Sequence, residues 1–358
     1  MPGYLSVWRS ASAHASKKTD LLALVDSYRD RIHWLPGKAV LERYGVPTAN
    51  GWLNTIEEIN LRDRLDEVDL DGLYSAYVAH TCCGEKSVRF YDLGRTNALN
   101  LREYLESEDA LNRLPQPLSR SSLRKAKVGP PALVHVMRQG LGYYAVYATI
   151  RSREERIRIS SDALPKDTAI FQGYDELIAV RSVKYGAYGA IWVPDNGNTV
   201  EVRVDYRQGD TVHDLNSFHQ LMYAALHTAS GSASVIQPTY LHEAIKSLYD
   251  AKGDGVVTDL SFSTTTGSVK NERMRSAQCL RDETFHVGGR AALKTEIEPY
   301  KIGLNWALRV DGTKEFTYPQ LFLDGNINDG NALLSATIRK ANTYKEYDWV
   351  RDKLIEHL

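Results

Sequence analysis

The chain has 358 residues, a formal net charge of −1, 43% apolar and 25% charged side chains. These are the proportions of an ordinary globular protein, and the length exceeds what one hydrophobic core usually serves, so two domains are expected. No apolar run approaches the roughly 20 residues of a membrane helix, and the opening MPGYLSVWRSASAHASKK lacks the apolar core of a signal peptide; a cytoplasmic protein that engages no membrane is expected.

Beyond the short apolar piece Tyr4 to Trp8, apolar residues Leu21, Leu24, Val25, Tyr28 and Ile32 recur at helical spacing after Asp20. Pro36 opens a second helix and Gly45 ends it, while Asn54 with Glu57 three residues later starts a third. The outer face of that third helix is acidic. The runs LYSAYVAH and SVRFYDL read as strands, and TCCGEK between them reads as the turn of a hairpin. His80, Cys82 and Cys83 are soft metal ligands by type, but neighbours on a strand point to opposite faces and no CxxC pair completes four positions. With Cys279 they make three cysteines, which is no disulfide framework. A helix from Asn97 to Leu114 closes a first region, residues 1–115.

Residues 116–131 combine prolines, serines and Gly129 without apolar periodicity, the marks of a linker. Arg120, Arg124, Lys125 and Lys127 make it basic, with no acidic residue among them. Residues 132–358 then form a strand-rich domain. ALVHVMR, GYYAVYATIR, ERIRIS, ELIAVRSV, GAIWV and TVEVRVDY are its first six candidate strands. In the last of these Val200, Val202, Val204 and Tyr206 alternate with Glu201, Arg203 and Asp205, which predicts one buried and one wet face. Asp210 or Thr211 caps a helix with a core stripe of Leu215, Phe218, Met222 and Ala225 or Leu226; His219, Tyr223 and His227 line another face, as surface or interface side chains. Thr239 to Asp250 makes a further helix.

The stretch from Val256 to Trp306 holds most of the chemistry-capable residues. A strand ends in the hydroxyls Ser263 to Thr266, which can offer donors to a ligand. Next comes a charged connector, expected to be helical, with Lys270, Arg273, Arg275, Arg281, Arg290 and Lys294 against Glu272, Asp282 and Glu283. Glu283 and His286 share a helical face, but metal sites built on such pairs need two copies and two further glutamates; His286 stands as a lone acid or base. The loop DGNINDGN carries calcium-type oxygens without the glutamate and flanking helices of an EF-hand. A helix capped by Asn342 or Thr343 ends the chain.

The expected class is α+β: a small helix-plus-hairpin region, then a larger, mainly antiparallel sheet covered by helices. No GxGxxG or GxxxxGK[ST] follows a strand, so no dinucleotide or P-loop site is indicated; the cofactor is left open. The leading functional expectation is a nucleic-acid-associated binding protein, or a subunit of a larger intracellular assembly. It would contact phosphates through Arg120, Arg124, Lys125, Lys127, Lys270, Arg273, Arg275, Arg281 and Arg290, with a protein partner or self-association also open. A metal-dependent nuclease using Asp259, Glu283, Glu296 or Glu298 is a second expectation, although an Asp…Glu-x-Lys spacing is missing.

Arg207 after one strand, Ser263-Thr264-Thr265 at the end of another and Glu296-Ile297-Glu298 opening a third resemble, in order, the Arg, Ser-Thr-Ser and Glu-x-Glu pattern of ADP-ribosyltransferases. Thr265 replaces the second serine of that pattern and Pro299 follows its second glutamate. The resemblance implies an NAD-consuming enzyme in which Arg207 grips phosphates, Ser263 supports the pocket and Glu298 stabilises an oxocarbenium-like transition state.

Overall fold

The computed structural model describes residues 17–107, 120–160, 174, 176–207, 209–232, 235–275, 277–310, 314–326 and 333–358. The expected piece at residues 4–8, the start of the linker and most of the calcium-like loop lie outside them. Among the described residues no helix is long and apolar enough to cross a membrane.

Four helices come first: α1 Lys17–Arg29, α2 Trp34–Arg43, α3 Trp52–Leu61 and α4 Leu70–Cys83. The last replaces the first strand of the expected hairpin. Asp69 caps it by accepting from the Gly72 amide, and Leu73, Tyr77 and His80 are buried at helical spacing. The apolar run was short enough to fit either period, and packing on α1 decides for the helix. Strand β1 Lys86–Asp92 and helix α5 Gly94–Ser107 follow, and then α6 Arg120–Lys125 inside the expected linker.

The six candidate strands that follow are four: β2 Ala132–Gln139, β3 Gly142–Ile159, β4 Leu177–Pro194 and β5 Thr199–Asp205. GYYAVYATIR and ERIRIS are one strand, which pairs with β4 without interruption from Gly142↔Pro194 to Ile159↔Leu177. Helix α7 Val212–Ser230 has a capping box between Thr211 and Asp214 and ends at left-handed Gly231. After α8 His242–Asp250 come β6 Val256–Ser263, β7 Val269–Arg273, α9 Thr284–Ala291, β8 Glu298–Asn305, β9 Leu308–Arg309, β10 Phe316–Thr317, β11 Gln320–Asp324, β12 Ala336–Arg339 and α10 Tyr344–Ile355. The basic connector is therefore not one helix. Its first part is a strand, and its helical part is α9 with a single 3-10 turn, Leu280–Asp282, before it.

Ten of these strands form one antiparallel sheet in the order β2-β3-β4-β5-β1-β12-β11-β8-β6-β7, and β9 pairs with β10 separately. The architecture is α+β, as expected. Strand β1 sits between β5 and β12, so the sheet draws strands from both sides of residues 116–131.

One face of the sheet is covered along most of its width. Helices α1–α4 pack on β2, β3 and β4 there, and α8 and α10 pack on β1, β12, β11, β8 and β6. On the opposite face α5 and α7 bury Tyr91, Val200, Val202 and Val204; each fully buried Leu, Phe or Met of α7 contributes about 1.5–3 kcal/mol. Beyond β1 no helix among the described residues packs on that face. In β11, Leu321 and Leu323 are buried toward the covered side, while Gln320 and Phe322 are half-buried and Asp324 is exposed.

Burial on both faces corrects the reading of β5. Glu201, Arg203 and Asp205 are 1%, 0% and 4% exposed, not wet. Asp205 accepts from Arg31, Lys86, the Tyr188 amide and Arg207. Burial alone would raise its pKa, but the three cations outweigh it and hold the carboxyl well below its usual range. Glu201 pairs with Arg203 and Arg351, and the Arg203 guanidinium lies 3.8 Å from the Tyr347 ring centre.

Candidate nucleic-acid interface

The open half of the sheet and the start of α7 enclose a cleft of about 660 Å³. Its floor is a set of cross-strand rows fixed by register. Arg89, Ser335, Asp324 and Lys301 follow one row across β1, β12, β11 and β8, next to the pairs Val88↔Ala336, Leu323↔Ala336 and Asp324↔Lys301. Thr337, Phe322, Gly303, Asp259 and Arg273 form the next row across β12, β11, β8, β6 and β7. Arg339 opens a third, opposite Gln320. Val212, Leu215 and Asn216 of α7 line one wall.

Arg89, Arg273, Lys301 and Arg339 line this cleft with Asp324 as the acidic residue. Lys301 pairs with Asp324 at 2.8 Å and Arg273 with Asp259. Arg89 differs from both. Its Nε donates to Ser335 Oγ at 2.8 Å and Nη2 to Asn216 Oδ1 at 2.6 Å, so neutral groups orient it and its charge faces the cleft. That field also reaches His219, which is buried against Ser87 and is not the surface or interface side chain its spacing suggested. Burial first, and Arg89 second, hold His219 well below the usual imidazole range. Arg339 lies 5.0 Å from the Tyr206 ring centre and 5.9 Å from that of Phe322.

The expected phosphate contacts divide on this geometry. Arg273 lines the cleft. Lys270 alternates to the other face of β7, and Arg275 lies just past its end; both are exposed. Arg124, Lys125 and Lys127 are exposed around α6, whose Leu123 packs with the α1–α4 core on the far side of the sheet. The side chain of Arg120 lies outside the described residues. Arg281 is buried and donates to the carbonyls of Tyr249, Gly255 and Leu248, tying the end of α8 to the start of β6; it is not a surface cation. Arg290 is exposed and stacks 5.2 Å from the Tyr249 ring centre.

The other candidates are not brought to one place. Ser263 and Glu298 are register partners, with Oγ 3.3 Å from Oε2. Arg207 follows β5, at the end of the sheet where β6 begins and β8 finishes, so it lies a strand length away from that pair, with β1, β12 and β11 between β5 and β8. It is buried, donates to Asp205 and the Gly186 carbonyl, and stacks on Tyr185. The hydroxyls after Ser263 form a tight turn: Thr264 and Ser268 bond through the backbone and Gly267 takes φ 77.

Glu283 caps α9 by accepting from the His286 amide. His286 is buried, with Nδ1 2.5 Å from Glu272 Oε2 and Nε2 2.7 Å from the Tyr249 hydroxyl. Nδ1 donates to the carboxylate, and Nε2 and the phenol share the second hydrogen bond. Spacing along the chain could not reveal this chain of three, because β7, α8 and α9 each supply one member. Of the four acids considered for a nuclease, Asp259 pairs with Arg273, Glu296 with Lys246 and Glu298 with Ser263, while Glu283 caps α9. Among the described residues no group of three His, Cys, Asp or Glu is placed to hold a metal ion. Cys82 and Cys83 are buried, and burial raises both thiols above their usual range.

Compared with known proteins, the sequence matches no family model and no curated protein.

Proposed function

We propose that the protein binds nucleic acid, with the open sheet face as the contact surface. Arg89 carries this reading: a cation oriented by Ser335 and Asn216 and facing a cleft that Lys301, Arg273 and Arg339 also line. Arginine on neutral supports suits phosphate, because its charge is held in place but not neutralised. Exposed Arg124, Lys125, Lys127, Lys270, Arg275 and Arg290 would add contacts outside the cleft that depend on salt and not on sequence.

The test is fluorescence anisotropy with a labelled oligonucleotide across a salt series. Affinity should fall linearly in log–log form, and Arg89→Gln should flatten the slope by about one phosphate contact, roughly 0.7–0.9. Absence of binding at low salt would remove the proposal.

A further inference from the structure

Resting on that nucleic-acid reading, we infer that the cleft takes a single strand in preference to a duplex, with one base stacked on Phe322. Three observations carry it. First, Phe322 is opposite Gly303 in register, and a Cβ at 303 would stand 2.7 Å from the ring. Glycine there lets the ring settle onto β8, supported from below while it lines the cleft. Second, Arg339 lies within stacking reach of both Phe322 and Tyr206, so the floor joins two rings and a planar cation. Third, cations flank the ring along the strands: Arg89 and Lys301 are in the row on one side and Arg339 is in the row on the other, each row about 7 Å from Phe322.

A duplex keeps both faces of each base covered by its neighbours, so a half-buried ring on a sheet floor cannot reach one. Unpaired bases offer free faces, and stacking on an aromatic side chain tolerates any of them. A phosphate on one side of the stacked base then meets Arg89, and one on the other side meets Arg339, which shares its charge with Glu85 at 3.7 Å.

The experiment compares a labelled single-stranded oligonucleotide with the duplex of the same sequence by anisotropy at low salt, for the wild type, Phe322→Leu, Phe322→Tyr and Arg89→Gln. Thermal melting of each variant checks that it is folded. The wild type is expected to bind the single strand at least tenfold more tightly. Phe322→Leu should lose roughly 5- to 100-fold in single-strand affinity with an unchanged salt slope, Phe322→Tyr should keep it, and Arg89→Gln should flatten the slope. Duplex binding as tight as single-strand binding, or a folded Phe322→Leu variant that binds like the wild type, overturns the single-strand inference and leaves the nucleic-acid reading standing. If neither form binds at low salt, both fall.

Discussion

Arg31, in the turn after α1, and Asp205 at the end of β5 are joined by two parallel hydrogen bonds of 2.8 Å across 174 positions of sequence. The pair is almost wholly buried, with side chains 3% and 2% exposed. It fastens the N-terminal helices to the middle of the sheet, and it places a carboxylate among Arg31, Lys86 and Arg207.

Asp205→Asn should therefore destabilise the protein strongly. It leaves three buried cations without their shared counter-charge, and breaking such a network from one side costs about 3–5 kcal/mol. Urea unfolding measures it; a loss under about 1 kcal/mol would show that the network tolerates an amide.

Stability should also fall on mild acidification. Burial holds both His80 and His219 well below the ordinary imidazole value of 6.5. Each stays neutral when folded, while the unfolded chain takes up the proton. Their contribution is thus complete above pH 6.5 and is lost as the pH falls below it, by up to about 1.4 kcal/mol per pH unit per histidine. In His219→Gln the pH slope of the unfolding free energy should shrink by one proton, and an unchanged slope would count against a neutral, buried His219.

Gly303→Ala tests the floor of the cleft. The new Cβ would lie 2.7 Å from the Phe322 ring and 3.1 Å from Asp259 Cβ, so the ring has to lift. A cost of about 1–3 kcal/mol is expected from the crowding, together with weaker single-strand binding. Melting and anisotropy on the same sample separate the two effects.

Arg281 and Arg275 should behave in opposite ways despite their shared charge. Arg281→Met removes charged hydrogen bonds to four backbone carbonyls and should cost about 2 kcal/mol or more, because those of Leu248 and Tyr249 stay buried. Arg275→Gln, at an exposed position, should change stability by less than about 0.5 kcal/mol. Equal effects in chemical denaturation would contradict the assignment of Arg281 to the interior.

The candidate site was only partly legible in the sequence. Arg273 was picked out by local charge. Arg89, Phe322 and Arg339 carried no signal, because each is an ordinary strand residue whose meaning comes from the row it joins. The ADP-ribosyltransferase-like order was legible as a pattern, but order does not set distance: Arg207, just past β5, and Ser263, ending β6, lie at opposite ends of the sheet.

What the sequence determined by itself was local. The period-two run at Val200 to Asp205 made a strand, the Thr211–Asp214 pair started a helix, and the stripe Leu215, Phe218, Met222 and Leu226 aimed it at a core. The tertiary structure decided how many faces of β5 were covered, since alternation separates the two sides of a strand without saying what lies on either. It also decided that Leu70–Cys83 is helical, through packing on α1, and that among the described residues α5 and α7 cover only part of one sheet face. Long-range pairing, fixed by burial and register between distant segments, turned scattered arginines into buried network members in one place and into a cleft in another.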